Sequence, residues 1–223
     1  CLRVSVYTPK SDSEDRLPVM VWFHGGGFQS SDGNSTNPDD LANNQKVVVV
    51  VVDYRLSIDG FAIFPGDSPN NWNLGFKDQQ LALQWVQTNI RQFGGDRKKV
   101  TIFGQSAGGT STAMHLLVPE SLPLFDNFIA QSPIYSFPTA TIAYQKTALL
   151  GSFVGCTNPL TLKACISAVP IDTLYGAAFN VPGGFPPVVG PGSQFPNQLL
   201  YMLQQSTGEG WEDKSGMIVS NED

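Results

Sequence analysis

Ser106 lies in Gly104-Gln105-Ser106-Ala107-Gly108, a G-x-S-x-G pentapeptide. Glycines two positions either side of a serine suit a nucleophile carried on a sharp strand-to-helix turn. Such a turn strains the serine backbone at a cost of roughly 1–3 kcal/mol. Side chains at the two glycine positions would collide within it. The pentapeptide recurs by chance and gains meaning from its flanks, and both flanks fit. Val100-Thr101-Ile102-Phe103 reads as a strand running straight into it, and Ala107 to Val118 as a helix leaving it. The hydroxyl is then lifted clear of a sheet and set at a helix N-terminus. There the helix dipole and the Ala107 amide can face a developing negative oxygen. A second element, His24-Gly25-Gly26-Gly27, follows an earlier apolar run. Consecutive glycines let backbone N–H groups approach a substrate oxygen without a Cβ in the way. Gly26, Gly27 and Ala107 together supply three donors for the tetrahedral oxygen of an ester under attack.

A serine nucleophile needs a base, and the chain has only two histidines. His115 lies nine residues beyond Ser106 on the same helix. Nine steps of about 100° turn it to the opposite face, about 13 Å along the axis, as a packed or surface residue. His24 precedes the nucleophile, whereas α/β-hydrolases run Ser, then acid, then His. The catalytic histidine is therefore expected to be absent from these residues.

The elements that must position these groups alternate in type. Pro18 to Phe23 reads as a strand, and Val47 to Val52, six valines in a row, as a strand buried on both faces of a parallel sheet. Asp78 to Phe93 carries a helical stripe stopped by Gly94-Gly95, and Phe128 to Gln131 is a further short strand. Strand–helix–strand repetition predicts an α/β fold with a mostly parallel sheet. From about 136 to 215 the pattern changes to an irregular excursion. Helical stretches at Ile142 to Val154 and Leu160 to Ala168 lead into a Gly/Pro-rich surface segment, Val181 to Pro196. Asn197 to Gln205 reads as one more helix, and Met217 begins a last strand.

Composition narrows the classes. The 223 residues are 41% hydrophobic and 14% charged, which excludes a disordered tail. A net charge of −6 argues against nucleic acid or an anionic membrane as the main partner. No apolar run is long enough to span a membrane, and nothing calls for a metal or cofactor. Of three cysteines, Cys156 and Cys165 flank a turn at Thr157-Asn158-Pro159, a spacing open to either a small disulfide loop or two buried thiols. Cys1, in a segment that alternates like a strand from its first residues, would be unpaired and suggests a fragment or processed product. Asn34-Ser35-Thr36 is a glycosylation sequon, with Asn34 as its acceptor.

Taken together these residues resemble the type-B carboxylesterase and cholinesterase family of α/β-hydrolases. The likeness runs over nearly the whole chain. It is densest at Pro18 to Phe28, Val48 to Leu56, Asn73 to Gly109 and Leu124 to Ser132. It implies an α/β-hydrolase fold, a mostly parallel central sheet with flanking helices, truncated at both ends. It further implies a secreted serine hydrolase that cleaves small-molecule carboxylic esters through an acyl-enzyme. Ser106 would be the nucleophile, and Gly26, Gly27 and Ala107 the oxyanion hole. Cys156 and Cys165 would form a disulfide, and Cys1 would pair with a cysteine upstream. The acid would fall just past Ser220-Asn221-Glu222-Asp223, or by a shifted register on Glu222 or Asp223. The histidine would lie further on, leaving this chain inactive alone. Arg55 and Asp78 match a buried ion pair, and Ser132 a serine near the acid and base. One departure is Gln105, where the family usually has Glu. A neutral amide cannot stabilise a nearby imidazolium, so a non-catalytic adhesion or structural role on the same fold stands as the alternative.

Overall fold

The computed structural model describes residues 2–10, 16–33, 36–198, 202 and 213–219. Cys1, Asn34, Glu222, Asp223 and most of the helix expected at Asn197 to Gln205 lie outside the described residues.

The valine run becomes β3 (Val48–Asp53), in which every residue is buried. It lies in a six-stranded sheet with β1 (Arg3–Tyr7), β2 (Leu17–Phe23), β4 (Gly95–Gln105), β5 (Asn127–Gln131) and β6 (Ser215–Val219). The strand order is β1-β3-β2-β4-β5-β6. Only β1 is antiparallel, to β3; β3, β2, β4, β5 and β6 pair in parallel. Parallel neighbours need crossovers over the sheet faces. These hold α1 (Asp39–Gln45), α2 (Ser57–Phe61), α3 (Leu74–Asn89) and α4 (Ala107–His115). After β5 come α5 (Ala140–Phe153), α6 (Leu162–Ser167) and α7 (Ile171–Ala178). The main core gathers Val19, Val21, Phe23, Val50, Val52, Leu83, Val86, Val100 and Ile102 between sheet and helices.

The topology locates a site before any side chain is considered. From β2 the chain steps to β3 on one side, and from β4 it steps to β5 on the other. The crevice at such a reversal, outside the carboxyl ends of the strands, is where open α/β sheets bind ligands. Here it opens between the ends of β2 and β4, which pair in register at Phe23 and Gly104.

Several boundaries differ from the sequence expectation, those of α3 and α4 among them. Helix α3 starts at Leu74 and not at Asp78, because Gly75 and Lys77 interrupt the apolar stripe although the backbone already turns. Helix α4 ends at His115, short of Val118, where Leu116 and Leu117 bond back to Ala113 and Met114 in a tightened last turn.

Asp78 on α3 accepts three hydrogen bonds from Arg55 beyond β3: from its backbone N–H at 3.0 Å, Nε at 2.8 Å and Nη2 at 2.7 Å. The carboxylate is buried and the guanidinium half-buried. Removing it strands a charge and an N–H together, so Asp78→Ala is expected to lower unfolding stability by about 3 kcal/mol. A shifted urea midpoint at unchanged m-value would measure it.

The Gly/Pro-rich segment is tied down by side chains. Asn73 donates through Nδ2 to the Val188 carbonyl (2.9 Å) and accepts at Oδ1 from the Val188 N–H (2.7 Å). Gln198 makes the same two-way bond to the Phe137 backbone, and Phe195 packs edge-on against Phe76. Cys156 and Cys165 are joined by a disulfide, with Cα atoms 5.7 Å apart, between the end of α5 and α6. Among the described residues, no helix is long and apolar enough to cross a membrane.

Candidate active site

Ser106 is the residue at which β4 gives way to α4. It has φ 57° and ψ −121°, a region that non-glycine residues rarely enter. Its N–H is held by the Gln131 carbonyl at the end of β5 (2.8 Å), and its carbonyl accepts the first bond of α4 from Thr110 (2.8 Å). The turn is thus pinned from both sides while the side chain stands half-buried. Among the described residues, Ser106 Oγ makes no hydrogen bond.

The flanking glycines are explained by distance. A Cβ on Gly104 would stand 2.4 Å from the Gly108 carbonyl carbon, and one on Gly108 would stand 1.9 Å from the Phe23 oxygen. Helix α4 therefore rests directly on the end of β2, from which the glycine loop departs. A Cβ on Gly25 would lie 3.5 Å from Ser106 Cβ, so loop and turn lie against each other. Gly26 has φ 105°, with the Ser30 oxygen 1.8 Å from where a Cβ would be. Gly27 has φ 62°, and its Cβ position is open. The N–H groups of Gly26, Gly27 and Ala107 bond to no acceptor among the described residues. Ala107 is buried at the first turn of α4, and the two glycines are exposed. These are uncommitted donors beside an uncommitted hydroxyl.

Neither histidine stands at Ser106. His115 is fully buried on α4, between Phe23 (5.1 Å) and Phe76 (4.4 Å). Its Nδ1 meets Ser121 Oγ at 3.0 Å, and Ser121 also accepts from Gln80. Among the described residues its Nε2 has no partner. Of the two placements left open by helical spacing, the packed one holds. Burial without a charge partner pushes its pKa down to about 3. The unfolded imidazole, near 6.5, binds a proton that the folded one refuses. The stability this confers is complete above pH 6.5 and is lost as pH falls from there towards 3. Between pH 7 and pH 5 the loss is expected to be about 2 kcal/mol. Chemical unfolding at the two pH values should show it, and His115→Leu should remove that part of the difference.

His24 is also buried, at 2% exposure, and burial lowers its pKa against the opposing pull of the Gly25 carbonyl and, less, of Asp53 and Asp32. Its ring stacks on Tyr54 at 4.5 Å, and its Nδ1 meets the Gly25 carbonyl at 2.9 Å. Gln105 is exposed, its amide oxygen 3.3 Å from where a Gly25 Cβ would be. Ser132, at the end of β5 with φ 48°, donates its N–H to the Val219 carbonyl of β6. Three or more His, Cys, Asp or Glu side chains able to hold a metal do not cluster among the described residues.

A mostly parallel sheet flanked by helices, with a strained serine between β4 and α4, defines the α/β-hydrolase class. The chain belongs to the carboxylesterase family, whose model matches residues 1–220. It is similar to an acetylcholinesterase of Danio rerio, 46% identical over 174 residues, 74% of this chain and 27% of the relative. It is also similar to a cholinesterase of Mus musculus, 41% identical over 193 residues, 82% of this chain and 32% of the relative. A third relative is pyrethroid hydrolase Ces2a of Mus musculus, 42% identical over 176 residues, 75% of this chain and 31% of the relative. The chain thus spans less than a third of the length of these curated relatives.

Proposed function

We propose that this chain carries the nucleophile and oxyanion hole of a secreted serine hydrolase that cleaves small carboxylic esters. The observation that carries it is Ser106 at φ 57°, whose Oγ makes no hydrogen bond among the described residues, with the Ala107 N–H next to it in the chain and the glycine loop against it at Gly25. A backbone holds strain of this kind only where its surroundings over-determine it, which is common at catalytic residues. In this reading Ser106 Oγ attacks the ester carbonyl carbon and forms a tetrahedral intermediate. Gly26, Gly27 and Ala107 donate to its oxygen, the alcohol leaves, and water then releases the acid from the acyl-enzyme. In this reading the histidine base belongs to a part of the full protein outside these residues, since His24 and His115 are both engaged elsewhere, and the acid falls just past Asp223 or, by a shifted register, on Glu222 or Asp223. The disulfide supports an oxidising, extracellular compartment. The relatives named as cholinesterases support an ester as substrate.

The test is covalent. The full-length protein is treated with a fluorophosphonate and digested, and its peptides are weighed. A phosphonyl adduct on the peptide bearing Ser106, with loss of p-nitrophenyl acetate turnover in proportion, is the expected result. Turnover that survives full labelling would reject Ser106 as the nucleophile, and no adduct with no turnover would reject the esterase in favour of an adhesive role.

A further inference from the structure

The carbonyl oxygens of the glycine loop are all occupied, by a different donor at each residue. The His24 carbonyl accepts from the Tyr54 hydroxyl at 2.8 Å. The Gly25 carbonyl meets His24 Nδ1 at 2.9 Å. The Gly26 carbonyl accepts from the N–H groups of Gln29 (3.0 Å) and Ser30 (3.3 Å), and the Gly27 carbonyl from Gln29 Nε2 at 3.2 Å. Among the described residues every peptide bond is trans. In a planar trans peptide the N–H points opposite to the C=O of the same unit. Fixing the Gly25 carbonyl therefore fixes the direction of the Gly26 N–H, and fixing the Gly26 carbonyl does the same for Gly27. Glycine peptides flip easily because no Cβ resists, so without these donors the loop has no reason to present its N–H groups on one side.

We infer that His24 and Tyr54 are positioning residues of the reaction: His24 Nδ1–H holds the Gly25 carbonyl, which turns the Gly26 N–H towards the substrate oxygen, and Tyr54 holds His24. The inference rests on the esterase reading above and deepens it. A carbonyl can only accept, so Nδ1 carries the proton of the neutral ring. Tyr54 acts on His24 twice, by stacking on its ring and by its hydroxyl bond to the His24 carbonyl. Both residues are buried, Tyr54 at 1% exposure; the Tyr54 hydroxyl bond is shut off from water and the His24–Gly25 contact is partly so. His24 thus serves the serine without touching substrate, which is why its place in the chain is wrong for a base.

The experiment uses the full-length protein and separates the hydrogen bond from the packing. His24→Phe keeps a ring to stack on Tyr54 and loses the donor. It is expected to lower kcat about 10- to 100-fold with KM within about threefold, because a misplaced oxyanion donor acts on the transition state and not on binding. The rate of Ser106 labelling by a fluorophosphonate should fall in parallel. His24→Asn returns an N–H at the δ position and should recover most of the lost kcat. If His24→Phe does not fold, Tyr54→Phe, which removes one oxygen atom and leaves the buried His24 carbonyl without its donor, should still lower kcat several-fold with a melting temperature only a few degrees lower. A kcat within twofold of the parent in both Phe variants would overturn the assignment. So would a joint fall of kcat and melting temperature that Asn does not reverse. An unmodified protein without turnover or labelling would overturn the esterase reading, and this inference with it.

Discussion

Ser106→Ala in the full-length protein is expected to lower kcat for a p-nitrophenyl ester by about 10⁴- to 10⁶-fold, the range seen when a serine nucleophile is removed from its triad. That is about 5–8 kcal/mol of transition-state stabilisation. Residual turnover should remain above background, since Gly26, Gly27 and Ala107 still donate to the oxygen. Stability should not follow activity. Among the described residues Ser106 Oγ bonds to nothing, and alanine keeps the Cβ that makes φ 57° unfavourable. The melting temperature of Ser106→Ala should therefore match the parent. Ser106→Gly goes further, because glycine enters this region freely, and should raise unfolding stability by about 1 kcal/mol. Equal kcat in Ser106→Ala and parent would remove the nucleophile. A Ser106→Gly variant no more stable than Ser106→Ala would show that the strain is not there.

How much of this was legible beforehand depended on whether the cause was local. The serine turn was legible because Gly104 and Gly108 answer a collision within five residues. The valine run was legible because burial on both faces leaves no polar position to alternate. Helices α1, α2 and α7 carried no such signal. Each spans eight residues or fewer and is stabilised by packing against elements distant in sequence, as Tyr175 of α7 on Asp59 of α2 shows. The first turn of α3 was hidden by Gly75, whose cause lies elsewhere: a Cβ there would stand 2.2 Å from the Arg55 carbonyl. Strand β4 begins at Gly95, through the charged run Asp96-Arg97-Lys98-Lys99, because Gly95 is in register with Leu17 of β2. Register of that kind has no trace in periodicity.

His24 was visible but asked the wrong question. Chain order tests a histidine only as a base, and His24 fails that test. Its position directly before three glycines was the available signal. A ring there reaches the carbonyl of the next residue, as the 2.9 Å contact shows. His115 illustrates the reverse case. Helical geometry correctly turned it away from Ser106 but could not choose between solvent and core. The choice is made by Phe23 and Phe76, which lie 92 and 39 residues away by sequence number.

Gly108→Ala should strike the contact that holds nucleophile and glycine loop in one frame. Its Cβ would stand 1.9 Å from the Phe23 oxygen, 2.8 Å from the Phe23 carbonyl carbon and 3.1 Å from the His24 carbonyl carbon. All three are backbone atoms, so no side chain can swing aside. Either α4 lifts from the sheet, displacing Ser106 and Ala107, or the end of β2 yields and carries Gly26 and Gly27 with it. Nucleophile and oxyanion donors therefore separate in both cases. A displacement near 1 Å costs about 100-fold in kcat, and the clash demands more than that. The expected result is a loss of at least about 100-fold in kcat with at least about 3 kcal/mol of unfolding stability, measured by urea midpoint. Gly155→Ala is the control: φ is 79° and nothing lies within 4 Å of its Cβ position. It carries the backbone penalty alone, about 1–2 kcal/mol, and leaves kcat as it was. If Gly108→Ala instead behaves like Gly155→Ala, helix α4 does not rest on β2, and the serine and the glycine loop are not held in one frame.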